Sequence, residues 1–125
     1  MAVSAGFKAQ IRELFAGLGD VRIRPMFGGA GVYLDELFFA LADDDVLYLK
    51  VDDETEARFR EAGSEGFVYV TKEGERMSLR YWRIPDTAFD DPEEAADWAR
   101  LALGAATRAA ARKKPRKAQM KHPLP

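Results

Sequence analysis

Arg24-Pro25-Met26-Phe27-Gly28-Gly29-Ala30-Gly31-Val32-Tyr33 sets two adjacent glycines, and a third two residues on, inside a run that otherwise favours β-strand. Glycine weakens a strand interior, so such a cluster marks a bulge, a sharp bend or a close backbone approach. Trp82 or a helix is the neighbour the sequence suggests for that approach. A phosphate-cradling loop is a poorer fit. Its glycines must follow a strand and open a helix, whereas Val32-Tyr33-Leu34 continues as strand.

Outward from this run, β-formers dominate residues 26–34, 37–42 and 46–51, with a strand-like lead-in at 21–24. Asp35-Glu36 and Asp43-Asp44-Asp45 break them apart. Connections this short permit antiparallel pairing only, because a parallel crossover needs about a dozen residues or more. A second hairpin is predicted over 67–70 and 77–84 around Lys72-Glu73-Gly74-Glu75, ended by Pro85, which cannot donate to a ladder.

Helices flank these strands. Phe7, Ile11, Leu14, Phe15 and Leu18 recur at helical spacing, with Ser4 as N-cap and Gly19 as stop. A short second helix starts near Asp53, where Asp53 and Glu56 have capping-box spacing; Phe59 is its one large apolar residue and Gly63 its end. The last helix opens with Asp91 as N-cap, Pro92 in first position and Glu94 completing the box. It carries Trp98, Leu101, Ala102 and Ala105 on one face to about residue 112. The order α-β-β-β-α-β-β-α predicts an α+β, two-layer sandwich: an antiparallel sheet of about five strands with helices on one face.

At 125 residues the chain has room for one core, expected over 1–112, followed by a basic, disordered tail at 113–125. Residues 1–107 carry a net −9 and residues 108–125 a net +7. Such a tail suits nucleic acid or an acidic partner through Arg112, Lys113, Lys114, Arg116, Lys117 and Lys121. There is no cysteine, no membrane-length apolar run and no secretory leader pattern, so the expected location is cytoplasmic. The one histidine, His122, stands four residues from the end, too remote for a Ser-His-Asp or Cys-His constellation on the folded body. The acid clusters lack the ligand spacing of a calcium loop and read as turns and caps. No cofactor or metal is implied. An enzyme built on carboxylates such as Asp35 or Asp86 is the weakest reading.

Tyr81-Trp82-Arg83, with Tyr48 and Tyr69, offers an aromatic and basic surface, although strand alternation puts Tyr81 and Trp82 on opposite faces. Arg22, Arg24, Arg80 and Arg83 fall within strands and suit one exposed surface.

The pattern Arg24-Pro25-Met26-Phe27-Gly28-Gly29 with Gly31 and Tyr33 is followed by Leu47-Tyr48-Leu49-Lys50-Val51 and by Phe59 with Ala62-Gly63-Ser64 and Phe67. Met77-Ser78, Tyr81-Trp82, Ile84-Pro85 and Trp98 complete it. Over about residues 6–110 this resembles the N-terminal domain of TfoX/Sxy proteins, bacterial regulators of competence. The resemblance implies a two-layer fold similar to secretion-chaperone-like domains. It also implies a transcriptional co-activator role alongside the cyclic-AMP receptor protein and brings no catalytic residues. Relatives of full length carry a further helical domain where this chain has its basic tail. The resulting expectation is a non-enzymatic regulatory or protein-interaction domain whose partner is a protein of the transcription machinery, with DNA contacted through the tail and homodimerisation through sheet edges. The alternative is a small-molecule or peptide-binding module with a pocket near Phe27, Gly28, Gly29, Tyr81, Trp82 and Arg83.

Overall fold

Short polar turns leave most strands their sequence neighbour as the nearest partner, and the chain folds accordingly. The computed structural model describes the backbone of residues 3–26 and 28–121, and the side chains of these except residues 69, 77, 78 and 113–121. Strands β1 (Arg22–Met26), β2 (Gly29–Leu34), β3 (Leu37–Asp43), β4 (Val46–Lys50), β5 (Gly66–Val70) and β6 (Arg76–Arg83) form one antiparallel sheet in the order β1-β2-β3-β4-β6-β5. Helix α1 (Ala5–Leu14) precedes them and α2 (Glu56–Glu61) joins β4 to β5. A short α3 (Asp86–Phe89), which the sequence did not suggest, and α4 (Pro92–Lys121) follow. The α+β two-layer architecture is as expected. The backbone of α4 continues as helix past residue 112, and residues 122–125, with His122, lie outside the described residues.

The sheet has six strands where about five were expected, because the glycine pair closes a turn. Gly28 lies in the connection with φ +80°, and Met26 pairs with Gly29 across it. The run over 26–34 is therefore split, and the lead-in becomes a full edge strand, where Pro25 is tolerated because one side of the strand needs no ladder partner. The next two connections are two-residue turns on Asp35-Glu36 and Asp44-Asp45, all four with φ between 50° and 69°. Positive φ at both central residues matches the twist of a tight hairpin, at a strain on the order of 1 kcal/mol per non-glycine residue. Asp45 is also held from outside: its carboxylate accepts the Ser4 N–H at 3.0 Å and the Ser4 hydroxyl at 3.2 Å. Ser4 in turn caps α1 by accepting the Phe7 N–H, as its position predicted.

The main core lies between the sheet and the helices. Phe7, Ile11, Leu14 and Phe15 of the first helical stripe are buried against Val32, Phe39, Leu47 and Leu49. Register shifts between Val32 and Tyr33, so Val32 faces Ala40 while Tyr33 faces Phe38. This bulge leaves Phe39 without an opposite number, and both Phe39 and Ala40 reach the helix-side core. Ala95, Ala99, Ala102 and Ala106 give α4 a small-residue face in that core. Asp91 caps α4 as predicted, accepting the N–H of Glu93 and Glu94. The expected box partner Glu94 instead accepts from the Thr87 hydroxyl and the Trp98 indole.

The cap of α2 departs from expectation. Asp52, not Asp53, organises the turn: its Oδ1 accepts the Glu54 N–H at 3.0 Å, and Thr55 Oγ1 accepts the Asp52 N–H. Arg108 of α4 closes on the same carboxylate, with Nε donating to Oδ2 at 2.7 Å and Nη2 to Oδ1 at 3.2 Å. Arg108, counted above in the basic end of the chain, thus belongs to the folded body. The Arg108 hydrogen bond, aided by the Glu54 N–H, holds the Asp52 carboxyl below its ordinary value despite its burial. A depressed folded pKa stabilises the fold fully above the unfolded pKa near 4, and that share is lost as pH falls through the folded value. Asp52→Asn should therefore flatten the acid limb of the stability–pH curve below about pH 4. Parallel thermal melts from pH 6 to pH 2, taken as about four steps, check this; an acid limb of unchanged steepness would dissociate Asp52 from it.

Candidate functional site: the open face of the sheet

Strand alternation that sends Val32, Ala40, Leu49 and Trp82 toward the helices sends the intervening residues to the other face. No helix of the described residues covers that face with the main core. It holds a second cluster, in which Leu41, Phe67 and Tyr81 are buried and Phe38, Tyr48 and Leu79 pack around them. The rings touch across strands. Tyr33 stacks on Phe38 at 5.0 Å, Phe38 meets Tyr81 at 5.5 Å, and Tyr48 meets Phe67 at 4.7 Å between centroids. Two cations lie on the rings, the Arg24 guanidinium 5.6 Å from the Tyr33 centroid and the Lys50 ammonium 5.2 Å from that of Tyr81. Such contacts are each worth about 0.5–1 kcal/mol at exposed sites and keep long side chains lying along the apolar surface.

The sheet is curled toward this face. One small apolar hollow is lined by Met26 from one edge strand, Phe67 from the other, and Leu41, Ala42 and Asp43 between them. Its free volume is ≈ 20 Å³, room for about one water and too little for a metabolite. Gly29 and Ala30 complete its lining, whereas Tyr81 and Trp82 stand apart from it. Burial raises the Tyr81 phenol well above its ordinary pKa, with the neighbouring Tyr33 adding to the effect. Burial and then Asp43 also raise the Tyr48 phenol. Both phenols are neutral at physiological pH, suited to contact and hydrogen bonding rather than nucleophilic attack.

The expected sites separate in space. Tyr81 faces the open side, while Arg83 pairs with Asp86 of α3 at 3.4 Å and borders a hollow shared with Phe7, Leu47 and Ile84 of the main core. Trp82 faces the helices, its Nε1 donating to Glu56 Oε2 at 3.2 Å beneath the Arg60 guanidinium. The close approach at the glycines involves neither Trp82 nor a helix: Gly29 lies against the Ala42 carbonyl of β3, and Gly31 against Met26 and Phe38. Gly28 sits in the turn with open space around it, and Phe27 lies outside the described residues. Arg22 and Arg24 share the open side by alternation, but Arg80 points the other way and bonds Asp53 and Glu56, both at 3.0 Å. Arg112 is exposed on α4, while the side chains of Lys113, Lys114, Arg116, Lys117 and Lys121 are outside the description. Sequence reasoning missed Tyr33, Phe38, Leu41 and Phe67 as members of one surface. The signal was the unbroken run Leu37-Phe38-Phe39-Ala40-Leu41-Ala42, because a strand apolar at every position has something to cover on both faces.

The family model described as the TfoX N-terminal domain matches residues 13–106. Among curated proteins, the DNA transformation protein TfoX1 of Aliivibrio fischeri is 42% identical over 55 residues. That stretch is 44% of this chain and 26% of the relative, so the match spans about a quarter of the relative's length.

Proposed function

Because the chain belongs to the TfoX N-terminal domain family, we propose that it is a regulatory interaction domain serving DNA transformation, and that it acts by binding rather than by turnover. The supporting observation is the open sheet face, where Arg24 and Lys50 lie on aromatic rings of a body whose first 107 residues carry a net −9. A cationic aromatic surface on an acidic body selects a partner segment that brings carboxylates around an apolar or aromatic anchor. The name of the Aliivibrio fischeri relative, a DNA transformation protein, supplies the process. Transcription control through a protein of the transcription machinery is the form of regulation this reading favours, with Arg112 and the lysines and arginine beyond it adding electrostatic attraction to DNA.

The test is charge reversal on the face. With Arg24→Glu and Lys50→Glu combined on the chromosomal copy of the host, transformation frequency should fall on the order of tenfold or more while the protein stays folded. A strain lacking the whole gene sets the floor. If the null strain transforms at the parental frequency, the process is wrong. A null strain that fails beside a charge-reversed strain that transforms normally would mean the face is wrong.

A further inference from the structure

The two edges of the sheet are unlike. Edge strand β1 carries exposed Arg22 and Arg24 and the donor-less Pro25, the features that keep an edge from pairing with another chain. At the opposite edge, β5 reads Gly66-Phe67-Val68-Tyr69-Val70, with no charge and no proline. Val68 at 38% and Val70 at 53% exposure are the large apolar residues left exposed among the described residues, and both are on this strand. The main chain of β5 is also oriented for pairing. The Glu65 carbonyl accepts the Arg83 N–H at 2.8 Å, and the Thr71 N–H donates to the Glu75 carbonyl at 2.9 Å, so at 65 and 71 the polar groups face β6. Alternation by two then turns the N–H and C=O groups of Gly66, Val68 and Val70 outward.

The geometry points to β5 as the seam of a homodimer, in which two copies pair this strand antiparallel about a two-fold axis perpendicular to the sheet. Both helical layers then lie on the same side of a continuous sheet. With Val68 opposite Val68 of the partner subunit, Val70 falls opposite the partner subunit's Gly66. There the absent side chain leaves the Trp82 indole accessible, since a Cβ at Gly66 would lie 3.6 Å from Trp82 Cε2 and Nε1. The same register sets Glu65 of each copy opposite the partner subunit's Thr71, so no like charges meet at either end of the uncharged strand. This self-complementarity favours a second copy over an unrelated strand. A one-strand seam buries less than the roughly 1,600 Å² of a standard interface, so the dissociation constant should be on the order of micromolar. Because the seam is at the edge away from Arg24, it does not rest on the proposed function.

Sedimentation velocity over a roughly hundred-fold concentration range tests it. The wild-type chain should move from a 14.0 kDa monomer toward a dimer. Val68→Lys, which opposes two ammonium groups across the axis, should raise the dissociation constant by about tenfold or more, and Val70→Lys should act in the same direction. Both positions are exposed in the monomer, so circular dichroism should show either variant folded. The Arg24→Glu, Lys50→Glu variant should associate like wild type. A wild-type chain that stays monomeric throughout overturns the second copy as occupant. So would lysine variants that associate normally, or an association abolished by the Arg24 and Lys50 changes alone.

Discussion

Gly29→Ala should cost about 3–5 kcal/mol and lower the melting temperature by about 10 °C or more. A Cβ built at Gly29 falls well inside contact distance of the Ala42 carbonyl oxygen, with the Ala42 carbonyl carbon at 3.3 Å and Asp43 Cα at 3.4 Å. All three are backbone atoms of the adjacent strand, so no side chain can rotate away and the β2–β3 ladder itself must part. The two neighbouring glycines separate this effect from others. At Gly31 a Cβ would meet Met26 Cε at 3.1 Å and Sδ at 3.2 Å, together with Phe38 Cε1 at 3.1 Å. Methionine is the most adaptable of core side chains, so Gly31→Ala should cost only about 1 kcal/mol, in the range of mild overpacking. Gly28 has open space but φ +80°, so alanine there should cost about 1 kcal/mol through backbone strain. Thermal melts of the three variants should rank Gly29 far ahead of the others. Equal costs at all three positions would contradict the β2–β3 register.

That ranking also shows which parts of the fold were legible in the sequence. The crowding of glycines announced a bend and a close approach, and both exist. Their partner was not legible, because Ala42 contributes backbone, which carries no residue-specific signal. Ser4 and Asp91 were legible as caps since each sits one step before a clear helical stripe. Asp52 and Asp53 are adjacent acids before a weak stripe, and only Arg108, fifty-six positions away, decides between them. The bulge that brings Phe39 and Ala40 to one face breaks the period of two, so the sorting of the run at 37–42 between two clusters could not be read from alternation. At the candidate site, the separation of Tyr81 from Trp82 followed directly from alternation. The meeting of Phe67 with Tyr48, Met26 and Leu41 depends on the curl of the whole sheet and on β6 lying between β4 and β5. Neither of those is encoded locally.

Phe59→Ala should cost about 3–5 kcal/mol, in the range seen for buried aromatic truncations. Phe59 is fully buried, and its ring meets the Trp98 indole at 4.7 Å with a tilt of 54°. Helix α2 has six residues, and Phe59 is its sole buried side chain. A helix this short does not hold itself together by propagation, so its place on the domain depends on that one ring and on polar ties from Glu56 to Arg80 and Trp82. Those ties are exposed or half-exposed and each contributes only a fraction of the ring's burial. Truncation should therefore act in two ways: a lower denaturant midpoint for global unfolding, and faster amide exchange in residues 56–62 at conditions where the strands still protect theirs. In a Trp82→Phe background, which leaves one indole, Trp98 fluorescence should shift to the red as its ring contact is replaced by water. Glu56→Ala, by contrast, should cost about 1 kcal/mol and leave Trp98 emission unchanged. If Phe59→Ala moves the midpoint no more than Glu56→Ala does, then α2 is held by its ion pairs and the Phe59–Trp98 contact is not what fastens it to α4.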